Sequence, residues 1–394
     1  MMKPKLALLL AFLLLPSIGF AQADEDSAQE STEPAIPLPP QPPPAESPAE
    51  SNLLLKSMRL EFSGLMYAFW SYDLRTANPD GDTESRNRFD LSRAFLNFEP
   101  QMGKFISARI TPDVFRINAP GTSADGSLGL RLFFAYVRFA EVAPGVAVVA
   151  GLQPNPLNAF DDSVWQYRVL GTSIHNVMTG APTTDLGVGV NGKHFGGLLE
   201  YHLLLSNGEG GFGHEPNKFK TGTGRITLAP FAEGDGWSKG LRLTAMGNYG
   251  IQGLGRDVDG NESHLSRGQV MGFLSFEHQI GTLALGVGPT WDSGPSGGVE
   301  TQDGLLVTTF GFVNLPLDLR LLARFDYYNP DLEEPDPRLP PTGSRTRVIG
   351  GLAYRLSDMV QFIANYQRLG FEMDDRTAPG QLGSTLNLHM EAKY

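Results

Sequence analysis

The chain has 394 residues, of which 43 are acidic and 31 basic, for a formal net charge of −12, and it contains no cysteine. The missing thiols exclude disulfides and lipid attachment at a cysteine. The acidic balance, without a basic stripe, excludes nucleic acid as a partner.

In chain order, residues 1–23 begin MMKPK, continue through a Leu- and Ala-rich run from Leu6 to Ile18, and end on Ala21-Gln22-Ala23. This is the pattern of a signal peptide with its cleavage site, which predicts export. Residues 24–57 then turn acidic and Pro-rich around IPLPPQPPPAESP, with no basic residue between Asp24 and Asn52. Such a composition buries too little apolar surface to offset its ordering entropy, so an extended periplasmic linker is expected, with residues 24–52 able to touch the cell wall. After residue 23 no run approaches the eighteen or so consecutive apolar residues of a spanning helix, which leaves any membrane crossing to strands.

Residues 58–394 are uniform in composition, rich in glycine and aromatics, and show no helical periodicity longer than two turns. Period-two alternation predicts strands at 58–70, 86–98, 104–116, 128–140, 145–153, 184–192, 196–206, 219–231, 239–250, 265–280, 281–291, 304–314, 317–328, 345–356, 359–369 and 383–394. Short and long connections alternate along this series, the asymmetry of a barrel with tight turns at one membrane face and long loops at the other. In the stretch LDLRLLARFDYY, Leu317, Leu319, Leu321, Ala323, Phe325 and Tyr327 share one parity. Asp318, Arg320, Leu322, Arg324, Asp326 and Tyr328 share the other. The first set suits lipid and the second an aqueous lumen. The last stretch, STLNLHMEAKY, alternates in the same way and ends on Tyr394. A terminal strand of this kind must pair with the first, because an open edge would leave backbone groups unsatisfied in hydrocarbon. The fold predicted is therefore all-β: a transmembrane antiparallel up-and-down β-barrel of about 16 strands.

Several stretches are similar to a known family. RNRFDLSRAFLNFEPQMGKFISARITPDV, GLQPNPLNAF, TDLGVGVNGKHFGGLLEYHLLLSNGEG and GRITLAPF resemble the early strands and third-loop entry of the phosphate-selective porin O and P family. The resemblance covers roughly residues 86–250, with only the strand rhythm shared beyond. It implies a sixteen-stranded pore, a homotrimer, and a third loop that folds inward to narrow the channel. That loop, Pro154 to Thr183, is the longest connection, and a loop of its length calls for a task. Asp161, Asp162 and Arg168 are its candidate constriction residues.

On inward parity stand Arg93, Arg109, Arg242, Arg320, Arg324 and Arg347, candidates for a pore lining that attracts anions, together with Glu200 and Asp326. Each arginine equally suits a structural pairing with a neighbouring carboxylate such as Asp113, Glu200 or Asp326. The resembled family uses a lysine cluster, whereas Lys104, Lys193 and Lys393 fall near turns or the terminus, and outer-loop acids such as Asp80, Asp257, Glu333 and Asp374 repel anions. A general pore with Arg-lined walls is therefore preferred over a phosphate-specific one. No catalytic constellation, metal cluster or cofactor-binding motif appears: His175, His194, His202, His214, His264, His278 and His389 are scattered. Expected partners are outer-membrane lipid, lipopolysaccharide bridged to the acidic loops by divalent cations, and small hydrophilic solutes or inorganic anions. The alternative is a structural or adhesive barrel fixed to the cell wall by its Pro-rich tail.

Overall fold

The computed structural model describes residues 58–75, 87–117, 122–213, 215, 218–234, 236–256, 262–293, 302–332, 343–371 and 383–394. The signal peptide at 1–23 and the linker at 24–57 lie outside the described residues, as do the outer-loop acids Asp80, Asp257, Glu333 and Asp374. Sixteen strands form one closed antiparallel sheet: β1 (Met58–Arg75), β2 (Asn87–Met102), β3 (Ile106–Arg116), β4 (Leu128–Ala143), β5 (Val146–Pro154), β6 (Thr184–His194), β7 (Leu199–Ser206), β8 (Thr221–Leu228), β9 (Leu241–Arg256), β10 (Glu262–His278), β11 (Gly281–Ser293), β12 (Gln302–Leu315), β13 (Leu319–Asn329), β14 (Arg345–Arg355), β15 (Val360–Phe371) and β16 (Gly383–Lys393). Every strand pairs with its sequence neighbours, and β1 closes on β16 through a register running from Leu65↔Lys393 to Arg75↔Ser384. Closure leaves no edge, so each strand's backbone polar groups are paired within the sheet, as a hydrocarbon surrounding requires.

The two faces separate as the alternation predicts. On β13, Leu321 is 56% exposed and Arg324 2%. Leu243 and Tyr249 of β9 point outward while Thr244 and Asn248 are buried within. An outward-facing, largely aliphatic surface of this extent is soluble only in lipid.

Aromatic rings mark the ends of the outer face. At the short-turn end, Phe62 lies 5.3 Å from Phe98 and 5.8 Å from Tyr394. At the long-loop end, Trp70 and Tyr72 stack at 6.4 Å beside Phe89, which is 85% exposed. Eight to ten residues of β1 separate the two groups, about 26–33 Å along the strand, which after tilting matches an apolar band of about 25 Å. The terminal tyrosine is part of this seam: Gly64 N–H donates to Tyr394 O at 2.9 Å and Tyr394 N–H to Gly64 O at 3.1 Å. The Tyr394 ring covers Gly64 so closely that a Cβ there would collide with it.

Register shifts interrupt five of the strand pairs among the described residues, and two of them re-aim side chains on β2 and β4. Between β1 and β2 the register passes from Tyr67↔Arg93 to Ala68↔Leu91, leaving Ser92 as the extra residue. Between β3 and β4 it passes from Thr111↔Phe134 to Pro112↔Leu132, leaving Phe133 unpaired beside a proline that has no N–H to give. Phe133 is thereby turned into the lumen, where it is 3% exposed.

Candidate functional site: the inward third loop

The connection between β5 and β6 doubles back inside the barrel. Asn155 caps its first helix, α1 (Pro156–Trp165), by accepting the Leu157 N–H at 3.0 Å, and Pro156 fits the first turn, where no N–H is required. The helix ends on Gln166 in a left-handed conformation, φ 63°. A 3-10 turn (Arg168–Leu170) follows, then α2 (Ile174–Thr179), capped by Ser173 and closed by Gly180 at φ 73°. The third loop therefore has structure of its own, built from capping residues rather than a long apolar period, which is why alternation and periodicity alone leave it blank.

Its apolar side docks on the wall. Phe160 meets Phe273, Trp165 meets Phe310 and Tyr167 meets Phe312, each edge to face at 5.4–5.7 Å. Leu157 and Ile174 are fully buried. Gln166 reaches the second residue of β13, where Arg320 donates to its Oε1 at 3.4 Å, so the loop descends almost to the short-turn end. On the way back the wall takes up its carbonyls: Gln367 donates to Leu170 O (3.1 Å), Arg347 to Thr172 O (2.7 Å) and Arg345 to Met178 O (3.2 Å). Near the top, His175 Nδ1 lies 2.9 Å from Gln269 Oε1, and Gln269 Nε2 donates to Thr179 Oγ1 at 3.2 Å. Burial pushes the His175 imidazole below its ordinary value, so it is held neutral.

One charged cluster fastens the loop. Arg324 donates to both Asp161 oxygens (2.7 and 2.8 Å) and, through Nε, to Asp326 (2.9 Å). Asp326 also accepts from Arg347 Nε at 2.6 Å and from the Thr308 hydroxyl at 2.5 Å. All four charges are nine-tenths buried or more. Two carboxylates balance two guanidinium groups, and bidentate geometry with full hydrogen bonding is what makes such burial sustainable. Arg324, Asp326 and Arg347 thus lie beneath the loop, their hydrogen bonds taken by one another, by Thr308 and by the loop rather than by a water column.

The loop's other side faces β1–β4. There Arg168 pairs with Asp162, and Arg93 and Arg131 share Asp113, the latter at 3.0 Å. The Arg93 and Arg168 guanidinium groups both lie over the Phe133 ring, 5.7 and 5.5 Å from its centroid. Arg131 is sandwiched by Phe115 and Phe212 at 4.2 and 3.8 Å. The three arginine side chains keep about a fifth to a quarter of their surface open. Three cations against two anions leave this passage positive. Burial pushes the Asp162 carboxyl above the usual carboxylate range, and Arg168 beside it works the other way.

The remaining candidates stand apart. Arg109 donates to Asn97 (2.8 Å) and Thr111 (3.1 Å) and lies 3.5 Å from Glu99. Glu200 pairs with Lys193 at 2.7 Å and Arg242 with Glu277 at 2.9 Å. Sequence reasoning passed over Arg131, Phe133 and Gln166. The first two belong to a strand whose parity changes at the bulge, for which Pro112 inside the preceding strand is the only signal; nothing in the sequence flags the left-handed Gln166.

No family model matches the sequence, and no curated protein matches it. Solved structures do. An anion-selective porin from Comamonas acidovorans superposes with a TM-score of 0.61 at 11% identity, over 86% of this chain and all of that one. The outer membrane channel DcaP of Acinetobacter baumannii gives 0.60 at 12% identity, over 86% and 98%. The trimer form of OmpT, an outer membrane protein of Vibrio cholerae, gives 0.55 at 10% identity, over 86% and 100%. The chain has the fold of outer-membrane porins.

Proposed function

We propose that the chain is an outer-membrane porin: a water-filled channel through which small hydrophilic solutes diffuse passively, without a chemical step, and in which anions are favoured. The observation that carries this is the third loop, pinned against one wall by a neutral, buried charge cluster while its opposite side and the β1–β4 wall present Arg93, Arg131 and Arg168 against Asp113 and Asp162. A net positive constriction flanked by low-dielectric walls concentrates anions and repels cations. Arg109, Arg242 and Arg320 extend the basic lining, and Glu200 tempers it. Fixed guanidinium groups already shared with carboxylates favour anions as a class over phosphate alone. The likeness of fold to a porin named as anion-selective supports the class, and the trimer form of the OmpT neighbour supports a homotrimer; lipid and lipopolysaccharide are the partners its apolar outer face calls for.

Planar-bilayer recordings in a salt gradient test the proposal. Discrete conductance with a reversal potential on the anion side is expected, moving toward zero when Arg93 and Arg168 are changed to Gln. A second reading, a structural or adhesive barrel, is favoured by how fully the loop fills the lumen along β8–β15. Absence of conductance from correctly folded protein would select it.

A further inference from the structure

The connection that leaves β7 at the long-loop end is a second inward element. Asn207 N–H donates to Leu186 O at 3.1 Å and Gly211 N–H to Thr184 O at 2.9 Å, so the chain turns back along the start of β6. Asp185 fixes the turn. Its buried carboxylate accepts from the adjacent Leu186 N–H at 2.8 Å and, across 23 residues, from Gly208 N–H at 2.9 Å. The stretches TDLG and SNGEG, well separated in the sequence, therefore meet here. Small residues allow the approach: Gly208 (φ 106°) and Gly210 (φ 83°) hold left-handed backbone values that side chains resist, and a Cβ on Gly211 would collide with Leu152. The next residue, Phe212, is carried past β6 and β5 to β4. Its ring centroid lies 3.8 Å from the Arg131 guanidinium and 6.0 Å from the Phe133 ring. Phe115 is the other ring on that guanidinium, at 4.2 Å, and Arg131 Nε donates to Asp113 at 3.0 Å. Phe212 itself is 49% exposed, so the rest of its surface is open to solvent.

We propose that Phe212 is a specificity-determining residue of the passage: a roof over its Arg131 and Phe133 side, held at the long-loop end on an arm that Asp185 positions. The assignment rests on the channel reading for its role and deepens it. Arg93, Arg131 and Arg168 select by charge, whereas the phenyl ring selects by size and hydration. An anion arriving from the long-loop side meets an apolar ring before it meets Arg131, and a strongly hydrated one loses more on passing beneath it than a weakly hydrated one. Arm and ring differ in firmness. The arm is bonded through Asn207, Gly208 and Gly211, while the ring is held by a cation–π contact, an attraction modest enough for a passing solute to displace. Asp185 touches nothing in the passage and acts only through the backbone that delivers Phe212.

The test uses the full-length, detergent-solubilised protein. Because the chain has no cysteine, Phe133→Cys offers a single thiol beneath the roof, at a position that is 3% exposed. Its labelling by an anionic methanethiosulfonate should be about tenfold faster with Phe212→Ala, the order of change expected when a cation–π contact is lost. Asp185→Ala, which keeps the ring but frees the arm, should speed labelling likewise, and Phe89→Ala, on the outer face, should leave it unchanged. Folding of each variant is checked by circular dichroism. In planar bilayers, without the added thiol, Phe212→Ala should raise unitary conductance and narrow the preference for chloride over sulfate, and Phe212→Trp should do the reverse; this arm decides the matter if Phe133→Cys does not fold. Labelling unmoved by Phe212→Ala, or equal conductance of the two Phe212 variants in a conducting barrel, overturns the roof. Labelling that answers to Phe212→Ala and not to Asp185→Ala overturns the arm. The two proposals fail separately: a barrel whose labelling moves as expected but that does not conduct sinks only the channel, and one that conducts with labelling unmoved sinks only the roof.

Discussion

Asp161→Asn should undock the third loop without opening the barrel. The carboxylate accepts two short hydrogen bonds from Arg324, and both partners are fully buried. Its neutral isostere keeps the shape and removes one of two anions facing two guanidinium groups, leaving a net buried charge. Breaking a buried pair from one side costs about 3–5 kcal/mol, a shift of roughly two to four powers of ten in the docked-to-undocked ratio. The sixteen-strand ladder is not involved, so heat-modifiable migration and strand content should be unchanged. Because the chain has no cysteine, Val169→Cys in the otherwise unaltered chain offers a single thiol on a loop residue that is 4% exposed. Maleimide labelling of that thiol should be slow in the parent and at least a hundredfold faster with Asp161→Asn. The apolar pair Asp161→Leu with Arg324→Leu should recover much of the protection, since no charge is then stranded among the aromatic rings, although Asp326 and Arg347 remain as a pair. Equal labelling with and without Asp161→Asn would refute the keystone role of the cluster, and so would a double variant more exposed than the single.

Three further outcomes follow from the same geometry. Gly64→Val should slow or abolish barrel formation, because a side chain there displaces the Tyr394 ring from the closing seam; refolding yield into detergent measures it, with Gly222→Val, at a site with open space, as the control. Loop protection should fall as pH drops below about 6.5: buried His175 stays neutral when docked, while the undocked loop takes up a proton, so acid favours undocking from the unperturbed pKa downward. Asp162, pushed upward, acts in the opposite direction, so the comparison of labelling rates with and without His175→Gln isolates the histidine. Arg324→Ala, unlike Arg93→Gln, should change loop exposure more than ion preference, because Arg324 lies under the loop; a loss of anion preference at unchanged labelling would contradict that placement.

The strands were legible because lipid outside and a polar interior impose opposite demands on adjacent residues, and sixteen such segments stand out even in a single sequence. Their upper ends were less so. β1 runs to Arg75 and β9 to Arg256, beyond the apolar alternation, because backbone pairing continues past the level at which lipid imposes it. Inward parity located Arg93, Arg109, Arg242, Arg320, Arg324 and Arg347 but not which of them meet: Arg324 finds Asp161 across 163 residues, a pairing no local pattern encodes. Arg131 and Phe133 were hidden by a single extra residue that shifts the phase of half a strand.

The seam between β1 and β16 joins residues from opposite ends of the domain. Loop-closure entropy makes such a contact the slowest to find, and no partial sheet can substitute for it in hydrocarbon. The cylinder therefore stays unsealed until β16 has found β1, and the connection between β5 and β6 must tuck itself in before that seam shuts around it. A mistimed insertion would leave a properly welded wall around the wrong interior.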